Sequence, residues 1–258
     1  MSGTTTRPAN APAASIGDRV SAAAARGLPV WVDKLVALGA LVVLSPVMLV
    51  TAVVIRLDSP GPAIFRQLRI GQDRRGGGDR RRGATTDHRN GTERRRGDRR
   101  RTDLRGRPFL FYKFRTMRAD GRKKFPELYE FEVSEEGLSR LYLQMPEDPR
   151  VSRCGKFLRR TSLDELPNFV NVLKGDMALV GPRPEMVEMA KYYHGPQRLK
   201  FAVRPGLTGR AQVSGRGLLN FPDTVAHDLA YVRERSVATD LKLVLKTFVA
   251  MVKGSGAF

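Results

Sequence analysis

Leu35 to Ile55 is a run of 21 residues without a charged side chain, bracketed by Lys34 and Arg56. At about 1.5 Å per residue, a straight helix of that length reaches across roughly 30 Å, the thickness of a bilayer's hydrocarbon. The run is too long and too far from the N-terminus for a secretory signal, and no small-residue cleavage site follows it. Ser45-Pro46 stands near its midpoint. Proline lacks the N–H that would bond Val42 and its ring crowds that carbonyl, so a bend is expected. Two geometries follow. One is a kinked helix that still spans, which lipid tolerates. The other is a re-entrant hairpin whose halves, Leu35–Leu44 and Val47–Ile55, are each roughly 15 Å long and reach only one leaflet. The pattern by itself favours the span. Basic residues flank the run on both sides, with many more after it, which places the long C-terminal part in the cytoplasm.

At 258 residues the chain has room for one large domain or one and a half, and 41% hydrophobic content is enough for a sizeable core. The lone Cys154 excludes an intramolecular disulfide and fits a reducing compartment. With only His88, His194 and His227 beside it, no zinc site can be assembled, so any metal is a hard, oxygen-bound one. The formal charge of +20 calls for polyanionic partners. Residues 72–107 hold 14 arginines against six acids in a Gly- and Thr-rich stretch with almost no apolar side chains. Such a stretch cannot offset its chain entropy by burial and reads as a disordered insertion. Its net +8 leaves +12 on the rest of the chain, so the basic excess is general. A membrane-tethered nucleic-acid-binding protein would interleave aromatics with these arginines for stacking, and residues 72–107 contain none. No nucleic-acid partner is expected.

Residues 1–30 are Ala-, Thr- and Pro-rich and read as a mobile lead-in. Ala63–Gln67 and Pro108–Arg115 read as strands of a hairpin whose loop is the insertion. Residues 119–145 have the spacing of one or two exposed helices. Pro167–Lys174 reads as a short helix stopped by Gly175, followed by a small strand at Met177–Val180. Two prolines then hold Arg183 in a stiff loop, Gly181-Pro182-Arg183-Pro184. Arg204–Gly209 and Ser214–Gly217 read as further Gly-rich turns carrying an arginine each. Asp240–Lys253 sets Lys242, Lys246 and Lys253 on one side of a helix and Leu241, Val244, Leu245, Phe248, Val249 and Val252 on the other. That pattern suits an interfacial helix on anionic lipid or a core helix with a solvated lysine face.

The chemistry concentrates at Arg159-Arg160-Thr161-Ser162-Leu163-Asp164-Glu165-Leu166-Pro167. Two adjacent carboxylates repel each other unless a cation or charged ligand sits nearby. Mg²⁺ takes carboxylate oxygens with substrate phosphates as companion ligands, and arginines grip the same phosphates through planar forks. The plain alternative is a capping box, Ser162-x-x-Glu165, at a helix start. No Gly-x-Gly-x-x-Gly, Walker-type loop or Asp-x-Asp occurs, so a nucleotide diphosphate would have to be handled through Asp164 and Glu165.

From Trp31 to Phe258, apart from the insertion, the chain resembles the bacterial sugar transferase family, the monotopic polyprenyl-phosphate phosphoglycosyl transferases. The landmarks are Ser45-Pro46, Ser59-x-Gly61-Pro62, Arg66-Gln67-x-Arg69-x-Gly71, Lys113-Phe114-Arg115-Thr116-Met117, Asp148-Pro149-Arg150, the acid-pair motif, Gly175-Asp176-Met177, Gly181-Pro182-Arg183-Pro184, Arg204–Gly209 and Ala211–Arg216. The resemblance implies an α+β fold, mainly helical with a small antiparallel sheet. It implies a re-entrant helix broken at Ser45-Pro46 over residues 31–58, against the pattern's preference for a span, and a catalytic domain over 59–258 seated on interfacial amphipathic helices. With nothing before Trp31 able to span, the chain looks like the short form without an N-terminal membrane bundle. The implied reaction moves a sugar 1-phosphate from a UDP-sugar to polyprenyl (undecaprenyl) phosphate with release of UMP, at the cytoplasmic face of the bacterial inner membrane, to begin a polysaccharide. Asp164 matches the nucleophile and Glu165 the acid that helps it hold Mg²⁺. Lys113, Arg159, Arg183 and Arg216 are the expected phosphate-binding residues.

Overall fold

The computed structural model describes residues 26–73, 106–129, 132–141, 148–215 and 218–252. The mobile lead-in expected at 1–30 and the insertion at 72–107 therefore lie mostly outside the described residues.

The apolar run forms one helix, α1 (Val30–Asp58), with Pro46 inside it. The expected break at Ser45-Pro46 does not interrupt it. Pro46 leaves the Val42 carbonyl without its helical donor, and the Ser45 hydroxyl donates to that carbonyl at 2.8 Å instead. This local substitution lets the helix continue past a residue that normally ends one. Both ends of α1 are fastened to the remainder of the chain. Asp33, 1% exposed, accepts from Arg204 Nη2 at 2.7 Å and from the Leu179 amide at 3.2 Å. At the far end, the Arg115 guanidinium donates to the carbonyls of Ile55, Ser59 and Pro60 at 3.3, 2.6 and 2.7 Å. The Ile55 carbonyl also accepts from the Ser59 amide at 3.2 Å, so Arg115 adds to the helix's own C-terminal bond. Gly61 has φ 116°, and a Cβ there would sit 2.4 Å from Arg115 Nη1, so the turn admits only glycine.

The hairpin forms as its sequence predicts. β1 (Ile64–Ile70) and β2 (Pro108–Phe114) are antiparallel, in register from Ile64↔Phe114 to Ile70↔Pro108. The Gly71 amide adds a bond to the Arg107 carbonyl at 2.9 Å, so the ladder closes at the base of residues 72–107. The expected exposed helices are short: α2 (Gly121–Lys124) and α3 (Glu135–Arg140). After α4 (Arg153–Thr161) comes α5 (Asn168–Lys174), which ends at Gly175 with φ 82°. α5 covers the free edge of β2 with a side chain. Asn171 accepts from the Tyr112 amide at 3.1 Å and donates to the Leu110 carbonyl at 2.7 Å, standing in for a further strand.

β3 (Ala178–Val180) follows, then β4 (Glu185–Met186), which pairs antiparallel with the other edge of β1. Arg204–Gly209 is not only a turn: β5 (Gly206–Thr208) within it runs parallel to β3, giving a second sheet that is not antiparallel. Glycines permit this approach, since a Cβ on Gly206 would lie 2.0 Å from the Gly181 amide. The chain then closes through α6 (Arg210–Gly215), α7 (Phe221–Glu234) and α8 (Val237–Val252).

α8 does not bury its broad apolar face. Leu241, Val244, Leu245, Phe248 and Val249 are exposed, Phe248 at 65%. Contact with the body is made by Leu243, by Asp240 and by Thr247, which bonds Thr208 at 2.6 Å. The core-helix alternative for this segment is thereby excluded.

Candidate active site

The site grows from one backbone turn. Ser152 caps α4 by accepting from the Gly155 amide at 3.0 Å. A Cβ on Gly155 would meet the Thr116 carbonyl at 2.0 Å, so glycine lets α4 lie directly on the segment after β2. Arg159, two turns along, then reaches Thr116 Oγ1 with its Nε at 3.2 Å. α4 stops at Ser162, whose φ of 57° is the only positive value on a non-glycine among the described residues. The chain reverses there into a single 3₁₀ turn, Leu163–Glu165. Leu163 and Leu166 pack with Phe114, Leu158 and Ile55, and this anchorage turns Asp164 inward until it is 7% exposed. The capping-box alternative fails, because the Ser162 side chain caps nothing.

Around Asp164 the structure gathers three of the four expected cations. Lys113 comes from β2, Arg159 from α4, and Arg183 from the proline-flanked loop. All three act on the Asp164 charge. Arg183 Nη1 pairs with Glu165 Oε1 at 2.8 Å. No hydrogen bond to the Asp164 carboxylate is seen among the described residues, which leaves its oxygens available. The fourth expected cation, Arg216, lies outside the described residues. Sequence reasoning gave Arg69 no role beyond its place in a motif, and it belongs here too. Its guanidinium stacks over the Phe111 ring at 5.2 Å, donates to the Pro184 carbonyl at 2.9 Å, and acts on Lys113 and Arg183. A signal existed in the strand pairing. Phe65, Gln67 and Arg69 on β1 share a face with Phe109, Phe111 and Lys113 on β2, so Lys113 and Arg69 look the same way.

Burial, and next the neighbouring Glu165, push the Asp164 carboxyl up to about 6, against the pull of Lys113, Arg183 and Arg159. Lys113 is brought down to about 8, first by burial and then by the surrounding arginines, with Asp164 opposing. Arg159 is lowered by burial, whereas Arg183 is raised chiefly by Glu165. Four cations, Lys113, Arg159, Arg183 and Arg69, thus surround two adjacent carboxylates, and positive charge is in excess here. Among the described residues, no group of three or more His, Cys, Asp or Glu side chains could hold a metal. Two adjacent carboxylates alone suit an ion that completes its shell with water and substrate phosphates, as Mg²⁺ does.

The sequence matches the bacterial sugar transferase family over residues 25–76 and 97–254, passing over the centre of the arginine-rich stretch. It is 36% identical over 204 residues to the galactosyl transferase CpsE of Streptococcus agalactiae serotype III (strain NEM316), covering 79% of this chain and 37% of that protein. It is 36% identical over 222 residues to the UDP-glucose:undecaprenyl-phosphate glucose-1-phosphate transferase of Escherichia coli (strain K12), covering 83% and 37%. Against the exopolysaccharide production protein ExoY of Sinorhizobium fredii (strain NBRC 101917 / NGR234), identity is 30% over 226 residues, with 88% and 86% covered. The chain thus spans little more than a third of the first two relatives and most of the third. On this match, and with the motif residues brought together around Asp164, the chain belongs to the bacterial sugar transferase family.

Proposed function

We propose that this chain is a phosphoglycosyl transferase that moves a sugar 1-phosphate from a UDP-sugar to undecaprenyl or a similar polyprenyl phosphate, releasing UMP. The observation that carries the proposal is the inward-turned Asp164 among Lys113, Arg159 and Arg183, with Glu165 held by Arg183. An Asp164 oxygen attacks the sugar-bearing phosphorus, the bond from that phosphorus to the UMP oxygen breaks, and UMP departs with both electrons of that bond. The acyl phosphate left on Asp164 is an activated ester. A phosphate oxygen of the lipid then attacks the same phosphorus, the bond to Asp164 breaks, and the carboxylate is restored with the sugar on a lipid diphosphate. Lys113, Arg159, Arg183 and Arg69 bind the phosphates and offset the repulsion between anionic reactants, and such electrostatic compensation usually dominates catalysis of phosphoryl transfer. Asp164 and Glu165 would hold Mg²⁺, which supplies further charge neutralisation on the diphosphate.

The membrane arrangement proposed with it is monotopic, on the cytoplasmic face of the inner membrane, with α1 re-entrant as one helix bent at Ser45-Pro46 and not as two separate halves. Support comes from the two ends of α1, which are fastened to one body by Asp33–Arg204 and by Arg115. A helix held at both ends cannot leave its domain behind on one side of the bilayer. One face of its middle is bare, with Val43 74% and Leu49 69% exposed while Leu44 and Met48 pack against the body, and the unburied apolar face of α8 adds a second lipid-facing surface. In such a seat a water-soluble nucleotide and a lipid phosphate meet at one depth.

The test is to incubate purified protein with UDP-sugars labelled in the sugar, with Mg²⁺, before any lipid is added. Sugar phosphate retained on Asp164, with stoichiometric UMP, supports the proposal. No retention, and no UMP after polyprenyl phosphate is supplied, defeats it.

A further inference from the structure

Behind the Pro182-Arg183-Pro184 turn lies a group of buried charges that the transfer chemistry does not use. Lys200 Nζ is 3.0 Å from Glu185 Oε2, 3.0 Å from the Tyr193 hydroxyl and 3.0 Å from Asp228 Oδ2. The Tyr193 hydroxyl donates to the same Glu185 oxygen at 2.5 Å. All four residues are 5% exposed or less. The Tyr193 ring is fixed edge-on against Phe201 and Phe221, with centroids 5.3 and 5.0 Å away. Stability alone does not account for this array, since apolar side chains of similar volume usually serve a core as well or better. Two carboxylates face a single ammonium, and the other cations that act on Glu185 and its loop are Arg69 and Arg183. Glu185 directly follows Pro184, its backbone pairs with Ile70, and Arg69 grips the Pro184 carbonyl.

We infer that Glu185 is a positioning residue for diphosphate binding: Lys200 and Tyr193 anchor it from behind, and it thereby fixes the loop that carries Arg183 and the Pro184 carbonyl that holds Arg69 beside the Asp164 site. The inference rests on the reading that Arg183 binds substrate phosphate. It makes a prediction of opposite sign to simple electrostatics. Removing a carboxylate near an anion site strengthens anion binding by Coulomb's law. Removing a positioning carboxylate weakens it, because the guanidiniums lose their aim.

Affinity for inorganic pyrophosphate is measured by calorimetry at fixed salt on the full chain in detergent, with Arg183→Ala as the blank for binding elsewhere on this cationic protein. Glu185→Gln, which leaves Lys200 paired with Asp228, is expected to weaken pyrophosphate about tenfold while cooperative melting is kept, the scale of one charge-assisted hydrogen bond. Equal or tighter binding by that variant overturns the inference, as does a blank that binds like the wild type. If Glu185→Gln does not fold, Tyr193→Phe decides, since it alters no charge: weaker pyrophosphate supports the positioning role, and unchanged affinity overturns it. A wild type that binds pyrophosphate but releases no UMP from any UDP-sugar counts against the transfer reaction and not against Glu185.

Discussion

Asp164 acquires its setting from its neighbours in the chain rather than from any feature of its own. Ser162 turns the backbone into the left-handed region, Leu163 and Leu166 bind the core, and the acid between them is carried inward toward Lys113. Asp164→Asn keeps the shape and removes the proposed nucleophile, so it should abolish both adduct formation and UMP release while melting stays cooperative. Substantial remaining turnover in that variant would move the chemistry to another residue. Lys113→Met should lower kcat/KM for the UDP-sugar on the order of 10²-fold, the usual cost of losing one aimed charge in a reaction of this kind. Steady-state kinetics with the first half-reaction isolated would read it. The acid pair and its proline-flanked arginine were legible because their chemistry is written in adjacent letters. Arg69 was not, because its membership depends on which residue of β2 it faces, and that register appears only once the ladder from Ile64↔Phe114 is seen.

At the scale of elements, the sequence disclosed periodicity well and anchorage poorly. The hairpin, α5 with its glycine stop, and α8 all lie where pattern put them, but which face of α8 is buried could not be read from the pattern. Its contact stripe includes Asp240 and Thr247, polar residues whose partners, the Leu28 amide and Thr208, are distant in sequence. The same holds for α1, whose buried ends depend on Arg204 and Arg115. Arg204→Met strands the Asp33 carboxylate in the interior and should cost about 3–5 kcal/mol, read by denaturation in detergent. Pairing it with Asp33→Leu should recover much of that loss, because the expense lies in the unpaired charge. Asp148 offers a pH test of local anchorage. Burial works to raise its carboxyl, but the Arg150 fork at 2.7 and 2.8 Å and the Arg150 amide outweigh burial and hold it below its ordinary 3.8. A carboxyl lowered on folding stabilises above its ordinary value and loses that contribution as pH falls through the lower folded one. Asp148→Asn should therefore lower the melting temperature near neutral pH and flatten its decline in acid. An acid limb as steep as the wild type's would show that the pair contributes nothing.

For the whole molecule the open choice is between a chain that crosses the bilayer and one that dips into it. Composition favours the crossing without deciding it, because 21 uncharged residues with a central Ser-Pro permit both geometries. The fold supplies a constraint that composition lacks: the residues that hold the start of α1 belong to the same body as the guanidinium that closes its end. That body carries Asp164, so if it lies in the cytoplasm, both ends of α1 lie there as well. Arg26, just before the helix, and Asp58, its last residue, are exposed, which makes them suitable reporters. Single cysteines at these positions, in a chain whose Cys154 has been replaced by alanine, can be treated with a membrane-impermeant maleimide in intact spheroplasts and in inside-out vesicles. A re-entrant α1 requires that both sites react in inside-out vesicles and that neither reacts from outside. A spanning α1 exposes one site on each side, so labelling of either cysteine in intact spheroplasts excludes the one-leaflet seat while leaving the Asp164 chemistry untouched.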